Sequence, residues 1–348
     1  MISEQTQKKL AELDAYLQTR GAKGRWLILT HDNPDPDSIA SAAALSKLLR
    51  RGFRRRVTTA YGGIIGRAEN QEMVKTLGIR LSHIRHINWK NYRHFALVDT
   101  QPGTGNNQLP KDRVADLVFD HHPLRRASQK APFVDIRIEY GATATMLTEY
   151  LLASGIEITK RNATALVYAI RSETQDFGRE YMHADRAMYD YLHPIADIRA
   201  LARIRTPGLP VSYYQNLLTA LQELESVGSL VVSHLGTVVQ PDIVPEVADL
   251  LLRMKRKTWS LCTGVYQDRM YLSIRTTNPR ADAGRLMRRL LGRRGKGGGH
   301  GMMAGGWIPI TGSRSEEIRA LHVSIASRLA TYLKKNPEKF VRVLANGG

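Results

Sequence analysis

Apolar and polar positions along the chain alternate in blocks that predict strands and helices in turn. Short apolar runs typical of buried strands occupy Arg25–His31, Arg56–Tyr61, Phe95–Asp99 and Leu117–Asp120. Apolar residues that recur at helical spacing predict helices over residues 4–20, 38–51, 142–153 and 160–171. Strands that alternate with helices indicate an α/β fold with a mostly parallel sheet and helices on both faces.

The pattern changes after Tyr181. Helical spacing continues over residues 182–225 and is interrupted at Pro207–Pro210. Further along the chain the pattern predicts β-like stretches at Ser229–Val239 and Leu261–Thr276 and helices over residues 245–256 and 315–334. Between them lie a basic helix, Asp282–Leu291, and a glycine-rich loop, Gly295–Gly306. We therefore expect a larger domain over residues 1–205, a connector over 206–226 and a smaller α/β domain over 227–348.

The composition limits the class of protein. A chain of 348 residues corresponds to about two domains, and a single cysteine, Cys262, excludes a disulfide framework and a cysteine-rich zinc site. No apolar run approaches the length of a membrane span, and the polar N-terminus lacks the apolar core of a signal peptide. We expect a soluble, cytoplasmic protein with no membrane partner.

The charge is unusual, with 51 Lys and Arg against 32 Asp and Glu, a formal net charge of +19. An excess of this size attracts polyanions such as nucleic acid, nucleotides or polyphosphate. A solvated basic surface without a specific partner is the alternative interpretation. The charge therefore indicates a class of partner and does not indicate a reaction.

Acids and histidines cluster where predicted strands end. The segment His31–Ser38 holds one histidine and three aspartates, of which helix capping by Asp37 or Ser38 would explain only one. Carboxylates gathered this closely repel one another unless cations neutralise them, and oxygen and imidazole ligands suit manganese or magnesium. Asp99 and the run Asp120-His121-His122 also follow strands, so we expect them at the same sheet edge.

The ordered motifs resemble those of the DHH phosphoesterase superfamily. The motifs in chain order are His31-x-x-x-Asp35-x-Asp37, Val98-Asp99-Thr100, Asp120-His121-His122-Pro123 and an acidic fourth motif within Ser172–Arg179. The runs Leu272–Arg275 and Gly298-Gly299-His300 resemble the DHH-associated C-terminal domain. The likeness covers about residues 25–312 and is closest to nanoRNases, pAp phosphatases and bacterial cyclic-dinucleotide phosphodiesterases.

This resemblance implies a DHH catalytic domain, a smaller DHH-associated domain and an active site in the cleft between them. It implies two Mn²⁺ ions, which Mg²⁺ or Co²⁺ could replace. The implied ligands of one ion are His31, Asp35 and Asp99, and those of the other are Asp37, Asp99, His121 and Glu173. Asp120 would support the site and His122 would face the substrate phosphate. The groups that the resemblance implies for catalysis or for the far end of the substrate in the second domain are Arg275, Gly298, Gly299 and His300. Arg285 is a further candidate for binding the substrate because it lies on the basic helix next to the glycine-rich run.

One departure from the family pattern lies in the fourth motif. The family presents Asp-Thr-Gly there, whereas this chain has Glu173-Thr174-Gln175. Either Glu173 or Asp176 would supply the ligand, and alignment on Thr174 favours Glu173. Loss of the glycine at position 175 would also reshape the phosphate pocket.

The function that this resemblance implies is manganese-dependent hydrolysis of short oligoribonucleotides to mononucleotides, together with pAp phosphatase activity. A phosphodiesterase of cyclic or linear dinucleotides is the alternative within the same class. A nucleotide-binding regulator with an impaired metal site, suggested by Glu173, is the alternative from another class. The expected partners are short RNA or DNA, pAp or dinucleotides, and a second copy of the chain in a homodimer.

Overall fold

The structure is a computed structural model of the chain, and it describes residues 2–20, 24–178, 181–310, 312 and 314–344. The chain separates into two compact units, Met1–Pro207 and Gly208–Gly348. The residues expected to form a connector, 206–226, contain the first helix of the second unit. In the described part of the chain, no helix is long and apolar enough to cross a membrane.

The first unit alternates strands and helices. In chain order, its elements are α1 (Glu4–Arg20), β1 (Arg25–Leu29), α2 (Pro36–Lys47), β2 (Arg56–Tyr61), α3 (Ala68–Thr76), β3 (Ser82–His83), β4 (His94–Val98), β5 (Leu117–Asp120), β6 (Phe133–Ile136), α4 (Thr143–Ala153), α5 (Lys160–Glu173), α6 (His183–Leu192) and α7 (Ile198–Arg205). All four strands expected from the apolar runs are present. A short π-helical turn, Leu48–Gly52, extends α2.

The six strands form one parallel sheet in the order β3-β2-β1-β4-β5-β6. The strand order reverses between β1 and β4, so the connections that leave these two strands run in opposite directions. A crevice therefore opens outside their carboxyl ends, which is where ligands bind in sheets of this type. The expected α/β fold with a parallel sheet is confirmed.

The two faces of this sheet are covered differently. Helices α1 to α7 all contribute side chains to the apolar cluster on one face, which contains Trp26 and Ile28 of β1. On the other face, Leu27 and Leu29 pack with side chains from loops and short 3-10 turns, such as Trp89. The connection between β3 and β4 spans only residues 84–93, too few for an ordinary crossover helix. This second face therefore differs from the expectation of helices on both faces.

The second unit is a smaller α/β unit. Its elements are α8 (Val211–Gln222), β7 (Glu225–Val227), β8 (Leu230–Thr237), α9 (Ile243–Leu252), β9 (Trp259–Tyr266), β10 (Arg269–Thr276), α10 (Ala283–Leu291), β11 (Lys296–His300), β12 (Met303–Pro309), α11 (Ser315–Tyr332) and β13 (Val341–Arg342). The single β-like stretch expected over Leu261–Thr276 consists of two strands joined by a turn. The glycine-rich run, expected as a loop, forms the hairpin β11–β12.

Seven strands build the sheet of this unit in the order β11-β12-β10-β9-β8-β7-β13, and β8 with β9 is its parallel pair. One face packs on α10 and α11 through residues such as Leu272 and Ile274. The other face packs on α8 and α9 around Val244 and the buried Cys262. Burial raises the pKa of the Cys262 thiol well above its usual range, so this cysteine is a core residue and not a nucleophile.

Candidate metal centre

The candidate site lies at the carboxyl edge of the first sheet. His31 comes two residues after β1, Asp99 follows β4 directly, and Asp120 is the last residue of β5. Because β1, β4 and β5 are parallel neighbours, these three positions lie side by side at one end of the sheet. Asp35 and Asp37 join them because α2 begins within the same loop, where Asp35 accepts the Ser38 N–H at 2.9 Å.

His31, Asp35 and Asp99 offer ligand atoms that lie within 4.8 Å of one another. His31 Nε2 lies 3.5 Å from Asp35 Oδ2 and 3.6 Å from Asp99 Oδ2. Its Nδ1 lies 2.9 Å from the Asp32 carbonyl oxygen and must donate a proton to it. In the neutral ring, Nε2 therefore presents a lone pair to two carboxylates, an arrangement that is favourable only with a cation or a proton between them.

His121 has the same arrangement on the other side of Asp99. Its Nδ1 lies 3.0 Å from the Tyr140 carbonyl oxygen, while Nε2 is 3.7 Å from Asp99 Oδ1 and 4.0 Å from Asp37 Oδ2. Within the described residues, His121 Nε2 is buried and has no hydrogen-bond partner. A histidine that donates one ring N–H to a carbonyl and leaves the other nitrogen free is typical of a metal ligand.

The first turn of α4 holds Asp37 and Asp99 in place. The backbone N–H groups of Thr143 and Ala144 donate to the two carboxylate oxygens of Asp37, each at 2.8 Å. The Thr143 hydroxyl donates to Asp99 Oδ1 at 3.1 Å. Helix N-termini have free N–H groups and a positive dipole, so they stabilise buried carboxylates. The sequence pattern did not identify Thr143 and Ala144 as site residues. The N-cap residue of α4, Ala142, has no capping side chain, and this is a signal that an acid from elsewhere in the chain caps the helix.

Asp99 adopts a left-handed backbone conformation, with φ of 58°. This conformation costs about 1–3 kcal/mol for a residue other than glycine, and such residues cluster at functional sites. The N–H of Asp99 donates to the Phe119 carbonyl at 2.9 Å, which fixes the turn at the end of β4. The strain is consistent with a backbone shaped to aim this carboxylate between His31 and His121.

Burial and mutual repulsion make the acid cluster unfavourable as free anions. Burial, followed by the charge of Asp35, raises the pKa of Asp37 to about 7. Burial and the charge of Asp37 raise the pKa of Asp99 well above its usual range. Burial disfavours the charged form of His31, but the charge and hydrogen bond of Asp35 together with the Asp32 carbonyl outweigh it and raise the pKa of His31 to about 9. A bound cation would relieve both the repulsion and the unpaired lone pairs, so these residues fit divalent metal ions.

The two acids of the fourth motif that were considered as ligands of the second ion, Glu173 and Asp176, have different surroundings. Burial and the charges of Asp35 and Asp37 raise the pKa of Glu173 to about 7, so its carboxylate interacts electrostatically with these acids. Asp176 is exposed and forms an ion pair with Arg171, whose hydrogen bond lowers the pKa of Asp176. Gln175, Asp176 and Phe177 all have positive φ values, so the chain turns sharply away just after Glu173.

Asp120 and His122 form a hydrogen-bonded pair beside the cluster. Asp120 is buried, and its Oδ1 lies 2.9 Å from His122 Nδ1 and accepts the His121 N–H at 2.9 Å. Burial disfavours protonation of His122, but the hydrogen bond and the charge of Asp120, together with the charges of Glu173 and Asp35, outweigh it and raise the pKa of this ring. His122 also lies within ligand distance of Asp99 and His121. However, its Nδ1 is occupied by Asp120, so His121 is the better candidate ligand.

In the second unit, the glycines of β11 differ from one another. At Gly299 the φ is 151° and a Cβ would lie 2.2 Å from the Met303 carbonyl oxygen, so the fold itself requires glycine there. At Gly298 nothing in the described chain lies within 4 Å of an added Cβ, and the backbone is not left-handed. The packing of the second unit therefore does not require glycine at position 298, and the missing side chain leaves open space on the sheet.

The other expected substrate groups have different surroundings. Arg275 is buried, and its Nε donates to Asp249 Oδ1 at 2.7 Å. Arg285 is exposed on α10, which packs on the opposite sheet face from the one that Gly298 faces. The side chain of His300 lies outside the described residues.

Two family models match the chain. Residues 25–170 match the DHH family, N-terminal domain, and residues 228–330 match the DHHA1 domain. The first range contains every residue of the acid and histidine cluster except Glu173, which lies just beyond its end. Together the two ranges take in well over half of the chain.

Two curated proteins are similar in sequence. An uncharacterized protein of Methanocaldococcus jannaschii is 36% identical over 291 residues, which cover 83% of this chain and 59% of that protein. An A-adding tRNA nucleotidyltransferase of Geobacter sulfurreducens is 27% identical over 154 residues, which cover 42% of this chain and 17% of that protein. The chain therefore spans little more than half of the first relative and a small part of the second.

Two solved structures share the fold over nearly the whole chain. An exopolyphosphatase-related protein from Bacteroides fragilis gives a TM-score of 0.70 at 13% identity, covering 94% of this chain and 98% of that one. The exonuclease RecJ bound to manganese gives a TM-score of 0.51 at 13% identity, covering 98% and 97%. At this level of identity the likeness establishes the fold.

Proposed function

Because the chain belongs to the DHH family and continues into a DHHA1 domain, we propose that it is a metal-dependent phosphoesterase. The observation that carries this proposal is the buried, unpaired Nε2 of His121, which faces Asp37 and Asp99. DHH family members hydrolyse phosphate esters. The finer proposal is that this chain hydrolyses short oligoribonucleotides to mononucleotides and removes phosphate from pAp.

Distances within the cluster support a proposal for the two ligand sets. We propose that His31, Asp35 and Asp99 hold one Mn²⁺ and that Asp37, Asp99, His121 and Glu173 hold a second. Asp99 would bridge the two because its Oδ2 faces His31 and its Oδ1 faces His121. Bound ions of this kind lower the pKa of a water molecule and polarise phosphoryl oxygens. Mg²⁺ or Co²⁺ would suit the same ligands.

The protein groups around the cluster have distinct tasks in this proposal. Asp120 holds His122 by its Nδ1, and in this proposal the other ring nitrogen donates to a phosphate oxygen or to the leaving sugar oxygen. The side chain of His122 is 45% exposed, so a substrate can reach it. Thr143 keeps Asp37 and Asp99 from rotating, which preserves the ligand geometry during turnover.

We propose that the second unit binds the distal part of the substrate at the β11–β12 hairpin. Gly298 and Gly305 are paired across this hairpin and face the same side. A Cβ at Gly305 would have only one neighbour within 4 Å, at 3.8 Å. The exposed Lys296 projects from this side too, two residues from Gly298. A flat, open surface beside a cation suits a nucleotide base or phosphate.

The remaining groups of the second unit take smaller parts. The guanidinium of Arg275 is already bound to Asp249, so it would support this surface and meet a phosphate only if that pair opened. Gly299 would shape the hairpin. His300 remains a proposed contact of the distal phosphate, whereas Arg285 does not fit this surface because α10 packs on the other face of the sheet. Charge of +19 overall would favour every anionic substrate of this kind.

The test uses the full chain after chelation of metal ions, with Mn²⁺, Mg²⁺ or Co²⁺ added back. The substrates are pAp, linear and cyclic dinucleotides, polyphosphate, and RNA and DNA of about 5 to 24 nucleotides. We expect no hydrolysis without metal and fastest hydrolysis of short RNA with Mn²⁺. Preference for a cyclic dinucleotide would replace the oligonucleotide proposal, and nucleotide binding without hydrolysis would favour a regulator.

A further inference from the structure

Gln101 is a fully buried amide two residues after Asp99, and it contacts Asp120 and the segment that follows His121. We propose that Gln101 is a positioning residue that fixes the carboxylate of Asp120 and, through it, the ring of His122. This inference rests on the proposed function for its effect on catalysis. Its structural core, the orientation of the His122 ring, can be measured without any substrate.

The hydrogen bonds of Gln101 determine which way its amide points. Nε2 donates to Asp120 Oδ2 at 2.7 Å and lies 3.2 Å from both the His122 and Pro123 carbonyl oxygens. On the other side, Oε1 accepts the Arg125 N–H at 2.7 Å and the Ser128 hydroxyl at 2.9 Å. A flipped amide would place oxygen against three acceptors, so only this orientation is compatible with its neighbours.

Asp120 depends on this amide because its two oxygens are held from opposite sides. Oδ1 is bonded by the His121 N–H and by His122 Nδ1, and Oδ2 accepts from Gln101. Asp120 is only 1% exposed, so water cannot replace a lost partner easily. Without Gln101 the carboxylate would be free to turn toward another donor, and the bond that aligns His122 would weaken.

The segment after His122 has little packing of its own. Leu124 is 53% exposed, and Arg125 and Arg126 are exposed as well. Ser128 is the buried residue of the 3-10 turn Arg126–Lys130, and it too is bonded to Gln101. Hydrogen bonds to one amide therefore replace apolar burial as the force that holds this segment. Removing them should disturb His122 far more than it disturbs the core of the unit.

The test replaces Gln101 with Glu, which keeps the shape and the two bonds at Oε1. The second carboxylate oxygen would then face Asp120 Oδ2 and two carbonyl oxygens. We expect kcat with Mn²⁺ and a short RNA to fall about 10- to 100-fold, the range for loss of outer-shell support, with KM changed less than threefold. In long-range ¹H–¹⁵N spectra of the metal-free protein, the His122 ring signals should shift from their wild-type positions.

A matched control is Gln71→Glu, because Gln71 Nε2 also donates to two loop carbonyls, those of Ile65 and Gly66, outside the site. This variant should keep wild-type kcat and wild-type His122 signals. If Gln101→Glu fails to fold, Gln101→Met removes the bond to Asp120 without adding charge, and it also removes the two bonds at Oε1. The His122 signals are assigned with His122→Gln.

The outcomes separate the inference from the proposed function. Unchanged His122 signals in a folded Gln101 variant, even with a lower melting temperature, would overturn the positioning role. A change in kcat and KM together with unchanged signals would do the same. If the wild-type protein hydrolyses none of the phosphate esters tested, the proposed function fails, and the His122 spectra still decide whether Gln101 positions this ring.

Discussion

The two units prepare for a substrate in opposite ways. In the first, His31, Asp35, Asp37, Asp99 and His121 are brought together at a cost in repulsion that a bound cation or a proton relieves. In the second, the notable feature is space, since Gly298 lacks a side chain where nothing in the described chain would collide with one. Repulsion among buried charged groups and open space on a sheet are therefore two different signatures of a binding site.

The largest expected effect comes from replacing Asp99, the acid that faces both His31 and His121. Asp99→Asn should lower kcat/KM by about 10³-fold or more, because each candidate ion loses a charged ligand. Asp197→Asn, which alters an acid that caps α7 away from the site, serves as the control. Activity of Asp99→Asn close to that of the control would exclude the two-metal interpretation.

The second prediction ranks the two acids of the fourth motif. Glu173→Gln should lower the activity or the Mn²⁺ affinity about 10- to 100-fold, since its carboxylate interacts electrostatically with Asp35 and Asp37. Asp176→Asn should change neither by more than a few fold, because Asp176 is exposed and paired with Arg171. Manganese titration followed by electron paramagnetic resonance measures the affinity. The reverse ranking would move the ligand to Asp176.

The third prediction tests the meaning of open space in the second unit. Gly298→Val should leave the stability unchanged and raise KM for an oligonucleotide about tenfold, because the side chain would fill the room left for the substrate. Gly299→Ala should instead lower the stability by about 1–3 kcal/mol, since its φ is 151°. Thermal unfolding and steady-state kinetics separate the two effects. A destabilised Gly298→Val would show that the fold needs this glycine after all.

The fourth prediction concerns a buried titratable group that the second unit keeps neutral. Burial and the nearby charge of His234 lower the pKa of His322 to about 3 from its usual 6.5. Stability from this group is fully present above pH 6.5 and is lost as the pH falls toward 3, at up to about 1.4 kcal/mol per pH unit.

Hydrogen exchange of the α11 amides, corrected for intrinsic rates, measures this loss in the full chain. Between pH 7 and pH 5 the opening free energy should fall by about 2 kcal/mol. His322→Gln should flatten the dependence, since Gln can still bond to the Thr263 hydroxyl that lies 2.8 Å from His322 Nδ1. An equal pH dependence in the variant would assign the effect to other groups.

The smallest expected effect concerns the wider basic surface. For a 12-mer, log affinity should fall with log salt by about 0.7 for each neutralised phosphate, whereas a dinucleotide should show a shallow slope. Binding measured at several salt concentrations gives both slopes. Equal slopes would mean that the charge of +19 does not form a track for longer chains, and they would favour a small-nucleotide substrate.

Much of the first unit was predictable because its strands are short apolar runs that end in acids. Parallel strands bring their carboxyl ends together, so Asp99 and His121 could be placed in one site from the sequence pattern. Thr143 and Gln101 could not be found in this way, since each is a common polar residue. Their roles depend on contacts with Asp37 and Asp120, which lie 106 and 19 residues away along the chain.

The second unit was less predictable. Its glycine-rich run was expected as a loop, because glycine is disfavoured in strands. Cross-strand hydrogen bonds between β11 and β12 override this preference, and the missing side chains let α10 pack against the hairpin. The family resemblance implied that Arg275 contacts the substrate, but its pairing with Asp249 depends on how α9 packs on β10.

The sequence by itself determined which chemical groups meet at the edge of the first sheet. The apolar runs mark the strands, and parallel strands place the residues at their carboxyl ends on the same edge. The sequence also determined the excess of positive charge, which any fold would carry. Tertiary structure decided the direction of each group: the lone pairs of His31 and His121, the strained turn at Asp99, and the amide that holds Asp120. The physical reason is that a side chain's orientation is set by its hydrogen-bond partners, and these lie on segments that only the folded chain brings together.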